Sequence, residues 1–411
     1  MTVDLRKRLA RLDQLTRRPA AGDDADESRR PASVRGGAAA DGDIVRVMAD
    51  DLGLERTATA TGDLWWREDR REVAPPDGGA GAAATDLTGI LPAGTPDDLR
   101  WGDILFLDTE TTGLAGGTGT LPFLVGLAWY DRGGLTVRQL FLPGPGQEEP
   151  LLGALADLAA RFRVVASYNG AAFDLPLLRT RARLARHDDP CAHLTGWDLL
   201  VAVRRLWGRQ LPDCRQQTME AMLRGRPRGP GDIEGALIPA VYTAFVREGE
   251  AGLLPAVLRH NRRDMEGMAR VLTAVARRAG ALAAGPSAPA PACWQEAWSN
   301  ALVAERRGDQ GLAAAWAAEA ADTLERHGPD DLAPAVILDA IRLLKRRADW
   351  PRVRALADLG LDRWPADARL HYEAAVLYEH RLGQPRRALV HARALGDPRR
   401  IQRLEARLPG A

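Results

Sequence analysis

The sequence predicts an α/β domain followed by an all-α domain of helical repeats. Three observations predict it. From about residue 101, short apolar runs of strand length are interleaved with longer stretches of helical period. Residues 280–292 are mainly Ala, Gly, Pro and Ser, a linker composition. Beyond them strand signals stop, and three similar segments recur: Glu305-Arg306-Arg307-Gly308-Asp309, Lys345-Arg346-Arg347-Ala348-Asp349 and Glu379-His380-Arg381-Leu382-Gly383.

The division along the chain is as follows. Residues 1–55 read as an unstructured arm carrying one short amphipathic helix, with Leu5, Leu9, Leu12 and Leu15 on one face. Residues 19–42 lack periodicity and are rich in Ala, Gly, Asp, Arg and Pro. Residues 56–100 form a leader in which Trp65 and Trp66 mark a possible strand. The α/β domain spans 101–279. In it, Ile104 to Leu107 and Val164 to Ser167 have the form of buried strands. Leu121 to Trp129 and Thr136 to Leu142 flank a Gly133-Gly134 turn, and Leu151 to Phe162 and Phe173 to Arg186 read as helices. The helical repeats occupy 293–411.

A chain of 411 residues with 45% hydrophobic residues can bury two or three cores. Its formal net charge of +1 argues against bulk electrostatic coating of nucleic acid, so any such binding needs a local patch. Lys7 and Lys345 are the only lysines among 56 basic residues, which reads as coding bias. Three cysteines give no disulfide framework and suit a reducing compartment. Cys191, His193 and nearby His187 hint at zinc, but no second ligand pair at finger spacing follows. Met1 to Arg18 is charged throughout, unlike a signal peptide, and no stretch of about 18 uncharged apolar residues occurs. A cytoplasmic protein without membrane attachment is expected.

Three elements carry chemistry. The first, Asp108-Thr109-Glu110-Thr111-Thr112-Gly113, continues the Ile104 to Leu107 strand, and a period of two puts Asp108 and Glu110 on one face. Carboxylates that close raise each other's pKa unless a cation lies between them, and hard oxygen ligands suit Mg²⁺ or Mn²⁺. The second, Tyr168 to Asp174, follows a strand and opens a helix. The third, His260-Asn261-Arg262-Arg263-Asp264, lies on a helix with an apolar stripe of Leu254, Leu258, Met265, Met268, Leu272 and Val275. His260 and Asp264 share a face there, on a shoulder of the stripe beside Gly267. Each element alone has a plainer reading: a polar strand end, a helix cap at Asp174, and a surface His–Asp pair. Arg179, Arg181, Arg183 and Arg186 could hold phosphates, though a charge run is usually a solvated face.

Taken together, Asp108, Glu110, Asp174 and Asp264 resemble the carboxylate set of the DEDD (DnaQ-like) 3′→5′ exonuclease superfamily, over about residues 101–275. Leu114 to Gly126, Trp197-Asp198-Leu199-Leu200 with Arg204-Arg205-Leu206-Trp207, and Asp232-Ile233-Glu234-Gly235 with Ile238-Pro239 and Tyr242 are similar to the YprB-like group of ribonuclease-H-like proteins. Trp364-Pro365, Ala374, Tyr378, Gly383, Ala388 and Ala392 resemble the tetratricopeptide consensus; an irregular helical bundle is the plainer alternative.

The resemblance implies a ribonuclease-H-like sheet and two metal ions, Mg²⁺ or Mn²⁺. One would be held by Asp108, Glu110 and Asp264, the other mainly by Asp108, with Asp174 contributing directly or through water. It implies hydrolysis of DNA or RNA from the 3′ end and a protein partner on the repeats. The pattern departs from the family at one place. Members with a histidine base carry H-x-x-x-x-D, whereas His260 has the Y-x-x-x-D spacing and Arg259 stands at the usual histidine position. His260 is therefore expected either as general base or as a group that orients the water. A rival of another class is a helical-repeat scaffold whose nuclease fold only binds nucleic acid; four intact carboxylates favour the enzyme.

Overall fold

The computed structural model describes residues 41–76, 79–82, 84, 87, 90–113, 119–131, 134–229, 231–286, 291–327 and 333–408. The helix expected around Leu5 to Leu15, most of the 19–42 segment and Gly133 lie outside them. The chain divides into two compact units, residues 1–204 with 211–277 and residues 205–210 with 278–411.

The first unit opens with α1 (Asp41–Arg46), continued by a wider turn over Val47–Asp51. So the arm read as unstructured is helical at 41–51, and it is Val47 and Met48, one turn on from Ile44, that are buried. In the leader, the strand expected at Trp65 and Trp66 is present over Gly62–Arg71. Strands β1 (Glu55–Thr59) and β2 (Gly62–Arg71) form a hairpin, and β2 pairs antiparallel with β5. Thr57, Thr59, Leu64, Trp65 and Trp66 are β-prone residues, and Trp65 is buried.

The other strands are β3 (Ile104–Thr111), β4 (Pro122–Asp131), β5 (Gly134–Phe141), β6 (Val164–Ser167) and β7 (Thr195–Asp198). The seven-stranded order is β1-β2-β5-β4-β3-β6-β7. Strand β3 stands between antiparallel β4 and parallel β6, and β6 pairs parallel with β7. Ile104 to Leu107 and all of β6 are buried, as continuous apolar runs demand when both faces are covered.

Helices α2 (Glu149–Ala159), α3 (Asp174–Leu184), α4 (Leu199–Trp207), α5 (Gln216–Arg224), α6 (Ile238–Glu248) and α7 (Leu254–Ala284) follow. On one face of the sheet the Tyr130 hydroxyl donates to the Ala269 carbonyl of α7 at 3.0 Å. On the other, Tyr242 of α6 stacks on Phe123 with ring centroids 4.1 Å apart, and Phe141 and Phe245 complete an aromatic cluster. Helix α7 runs to Ala284, five residues into the segment read as linker. Alanine is the strongest helix former, and the helix stops at Gly285, with φ +84°.

The second unit is a set of helical hairpins: α8 (Trp294–Arg306) with α9 (Gln310–His327), α10 (Pro334–Arg346) with α11 (Trp350–Arg363), and α12 (Ala368–His380) with α13 (Pro385–Leu395), then α14 (Pro398–Glu405). The three recurring segments are the hairpin turns. Gly308, Ala348 and Gly383 take φ of +79°, +55° and +59° there, the left-handed step that reverses the chain. Asp309 and Asp349 then accept backbone N–H bonds from Leu312 and Arg352 at the start of the return helix. Trp298 and Trp316 anchor an alanine-rich interior. Among the described residues no helix is long and apolar enough to cross a membrane.

Candidate metal centre and active site

Strand β3 leaves the core at its polar end. Asp108 and Glu110 are half-buried, on the same face, and the ladder to β4 becomes irregular between Glu110 and Thr111. Asp174 is brought beside them by the turn after β6. In that turn Asn169 takes φ +68°, and its N–H donates to Asp198 Oδ1 at 2.8 Å. A Cβ on Gly170 would lie 2.5 Å from the Ser167 Cβ, so the turn closes only over glycine. Asp174 then opens α3, but its carboxylate does not cap that helix. Its Oδ1 accepts from the Thr109 N–H at 3.0 Å and from the Thr109 hydroxyl at 2.5 Å. The helix start is thereby tied to the acidic strand.

Helix α7 supplies the third side. His260 Nε2 lies 3.2 Å from Asp264 Oδ2, the i,i+4 pair expected from the sequence. The opposite ring nitrogen, Nδ1, lies 2.9 Å from Asp232 Oδ1. Asp264 Oδ1 accepts from Arg228 at 2.6 Å and from Gln216 Nε2 at 3.2 Å. The Arg228 guanidinium also holds Glu220, through Nε at 2.8 Å, and Asp232 at 3.2 Å. Gly267 makes this crossing possible, because a Cβ there would fall 1.9 Å from Glu220 Oε1. One turn earlier on the same helix, fully buried Asn261 donates from Nδ2 to Asp108 Oδ2 at 3.0 Å. Its Oδ1 accepts from Gln139 of β5 at 2.9 Å.

The charges fall into two halves. Asp264, Asp232 and Glu220 share Arg228 and His260 as cationic partners. With burial opposing it, the His260 hydrogen bond and charge, aided by Arg228, bring Asp232 down to about 2. Burial likewise opposes protonation of His260, yet its bond to Asp232 and the charges of Asp264 and Glu110 push it up to about 9. Asp108 accepts from the Asn261 amide and Asp174 from Thr109, both neutral donors. Burial, then the charges of Asp174, Glu110 and Asp264, hold Asp108 well above the carboxylate range. Burial pushes Glu110 up to about 8; His260 opposes the rise, and the neighbouring carboxylates add to it. Such a set is stable as carboxylates only around a cation.

Glu110, His260 and Asp264 offer ligand atoms within 4.8 Å of one another. The donor set, oxygens and one imidazole, fits a hard divalent ion such as Mg²⁺ or Mn²⁺. All five residues singled out in the sequence therefore converge. Of the four arginines expected on this helix, three lie on α3 and Arg186 follows its end; Arg179 pairs with Asp189 and Arg181 with Glu148, both structural contacts, while Arg183 and Arg186 are exposed. Sequence reasoning missed Arg228, Glu220, Gln216, Gln139 and the role of Asn261. Asp232 had a signal, as part of Asp232-Ile233-Glu234-Gly235, but no chemistry was attached to it. Gly267 and Gly126 were the other signals, since an isolated glycine inside a regular element marks a close approach.

Residues 105–276 match the RNase_H_2 family, described as belonging to the RNase_H superfamily. The chain is also 38% identical over 164 residues to the uncharacterized protein YprB of Bacillus subtilis (strain 168). That stretch is 40% of this chain and 39% of the relative, so the likeness covers well under half of either protein. With β3 flanked by antiparallel β4 and parallel β6, and the acidic cluster at its end, the α/β part of this chain is similar to an RNase H-like superfamily domain over residues 105–276.

Proposed function

We propose that the protein is a metal-dependent 3′→5′ exonuclease acting on DNA or RNA. One observation carries the reading. Three buried or half-buried carboxylates, Asp108, Glu110 and Asp174, meet a fourth, Asp264, at the end of a strand on a nucleic-acid-hydrolase fold, and among the described residues no arginine or lysine pairs with the first three. Asp108, Glu110, Asp174 and Asp264 would hold two Mg²⁺ or Mn²⁺ ions. Such ions supply charge stabilisation for the attacking and leaving oxygens of a phosphodiester displacement.

The chain's own residues do the rest. Asp232 accepts the Nδ1–H of His260, and Nε2, which faces Asp264 Oδ2 at 3.2 Å, would be free to take a proton from the attacking water once a cation draws on Asp264 and lowers the imidazole from about 9. Water oxygen would bond to phosphorus as the P–O3′ bond breaks; the O3′ stays on the shortened strand and takes up a proton from solvent, and a nucleoside 5′-monophosphate is released. Asp232 thus offers a reason why a histidine at the tyrosine spacing can serve as base. The helical hairpins support a tetratricopeptide-type surface for a protein partner, in a cytoplasmic protein.

A second reading rests on Arg228. Its guanidinium pairs with Asp264 at 2.6 Å, and a ligand position already held by an arginine favours a domain that binds nucleic acid without cleaving it. The decisive test incubates purified protein with 5′-labelled and 3′-labelled DNA and RNA oligonucleotides, with Mg²⁺, Mn²⁺ or EDTA. Stepwise shortening of the 5′-labelled strand that EDTA stops is expected. Binding without shortening under every metal condition would select the second reading.

A further inference from the structure

We infer that Asn261 and Gln139 form a neutral clamp that fixes the Asp108 carboxylate for metal binding. This rests on the reading of Asp108 as a metal ligand. In the sheet register Asp108 is opposite Gly126, and Gly126 is opposite Gln139 on the next strand. The three positions form a row across β3, β4 and β5. Asn261 of α7 lies over the middle of that row. A Cβ on Gly126 would come 2.3 Å from Asn261 Oδ1, so the missing side chain is the space the amide fills. Glycine is otherwise a poor choice in a fully buried strand.

The hydrogen-bond directions are forced from one end. The Leu258 carbonyl can only accept, so the Gln139 atom 2.9 Å from it is the amide nitrogen. The same nitrogen then donates to Asn261 Oδ1, and this turns Asn261 Nδ2 towards Asp108. Gln139 thus donates both ways, to the Leu258 carbonyl and to Asn261, and Asn261 donates on to the carboxylate. Gln139 Oε1 is buried with no partner among the described residues. A buried orphan acceptor is costly, so Gln139 is held in place for what its nitrogen does.

An amide is the side chain suited to this place. A lysine or arginine here would neutralise Asp108 and compete with a metal ion. A carboxylate would add a further negative charge to a crowded site. Asn261 satisfies Oδ2 and stops rotation, while the negative charge of Asp108 and its Oδ1 remain for cations. Asn261 and Gln139 are thus positioning residues that act through Asp108.

The test measures Mn²⁺ binding to the full-length protein by calorimetry, for the parent and for Asn261→Ala, Gln139→Leu and the double variant, with thermal midpoints in parallel. Asn261→Ala is expected to weaken Mn²⁺ binding about 10–100-fold, the usual cost of removing a partner that orients a ligand. Gln139→Leu should weaken it less. It should add nothing, within about twofold, on the Asn261→Ala background, because Gln139 reaches the metal only through Asn261. Parental affinity in folded Asn261→Ala overturns the clamp, as does a full Gln139 effect in the double variant. If Asn261→Ala does not fold, Gln139→Leu decides alone, and parental affinity there overturns it. A parent that takes up no Mn²⁺ sinks the proposed function itself, which is a different failure from a parent that binds and variants that match it.

Discussion

Two buried acidic sites, one in each unit, show how a structural carboxylate differs from one left for a ligand. In the helical unit the Glu379 side chain is fully buried, yet Arg403 binds both of its oxygens at 2.8 and 3.0 Å, and Arg400 and Arg407 lie at 3.4 and 3.7 Å. The Arg403 hydrogen bonds hold its carboxyl below the usual range. In the α/β unit Asp108 receives an amide hydrogen bond, and its nearest charges are other carboxylates, so burial and repulsion push it the opposite way. Burial is common to both. What separates them is whether the protein provides the counter-charge. Where it does, the group ties helices together; where it does not, the site is left for the cation proposed above.

The largest expected effect follows from removing the charge that the site most needs. Asp108→Asn should lower exonuclease activity by roughly 10⁴-fold or more, because metal-held charge stabilisation is the main contribution in such sites. The fold should persist. In metal-free buffer the variant should match or slightly exceed the parent in thermal midpoint, because a group whose ionisation burial and neighbouring carboxylates oppose is gone. Cleavage at the parental rate would remove Asp108 from the metal site and dissolve the contrast with Glu379.

Next in size is His260→Ala, expected to lower kcat by about 10²–10⁴-fold, as for a general base, while Mn²⁺ still binds. A loss below roughly threefold, far under that range, would make His260 a neighbour of the site and leave Asp232 without a task.

The acidic elements on β3, α3 and α7 were legible because each sits in a local pattern: period two for Asp108 and Glu110, a strand-to-helix turn for Asp174, and i,i+4 for His260 and Asp264. Their partners were not legible, for a physical reason. Arg228 and Asp232 lie in a stretch rich in Gly and Pro, Arg226-Pro227-Arg228-Gly229-Pro230-Gly231, which has no period to say where a side chain points. Gln139 reaches Asn261 across 122 residues of sequence, through a pairing that only the assembled sheet defines. The β1–β2 hairpin had local signals in its threonines and tryptophans, but its docking on β5 is again long-range. The repeat turns were visible because Gly308, Ala348 and Gly383 recur within similar segments.

The pH response sharpens the comparison further. Glu110 titrates near 8 in the metal-free protein, against an ordinary value near 4.5, so it retains a proton that a metal ion must displace. Mn²⁺ affinity should therefore rise between pH 6 and about 9, with proton release visible as a dependence of binding heat on the buffer. The stability of the metal-free protein should run the other way. A carboxyl with a raised folded pKa favours the folded state most below its ordinary value and loses that advantage as pH climbs to 8. His260, raised to about 9, contributes fully below 6.5 and is lost as pH rises through 9. Asp232, lowered to about 2, contributes above its ordinary 3.8 and is lost only as pH falls through 2. The thermal midpoint without metal should thus decline from about pH 5 to pH 9. A flat profile, together with pH-independent Mn²⁺ binding, would mean that Glu110 is already ionised and compensated, as Glu379 is.

The smallest effect on catalysis is expected from the other member of the comparison. Glu379→Ala removes the acceptor for Arg403 and leaves Arg400 and Arg407 facing one another. Arg403 and Arg407 are half exposed, so water screens much of the loss, and the cost should be about 1–2 kcal/mol rather than the larger figure of a wholly buried pair. Glu379→Gln keeps an acceptor oxygen and should cost less. Both variants should keep kcat/KM on a short oligonucleotide within about twofold of the parent, because the two sites share no partner among the described residues. Their thermal unfolding should show the helical unit melting earlier, while the Mn²⁺-dependent shift of the α/β unit is unchanged. The contrast breaks if a folded Glu379→Gln protein loses Mn²⁺ binding or most of its activity on that short substrate. The acid of the helical unit would then act on the metal site, and a compensated carboxylate could no longer be read as structural.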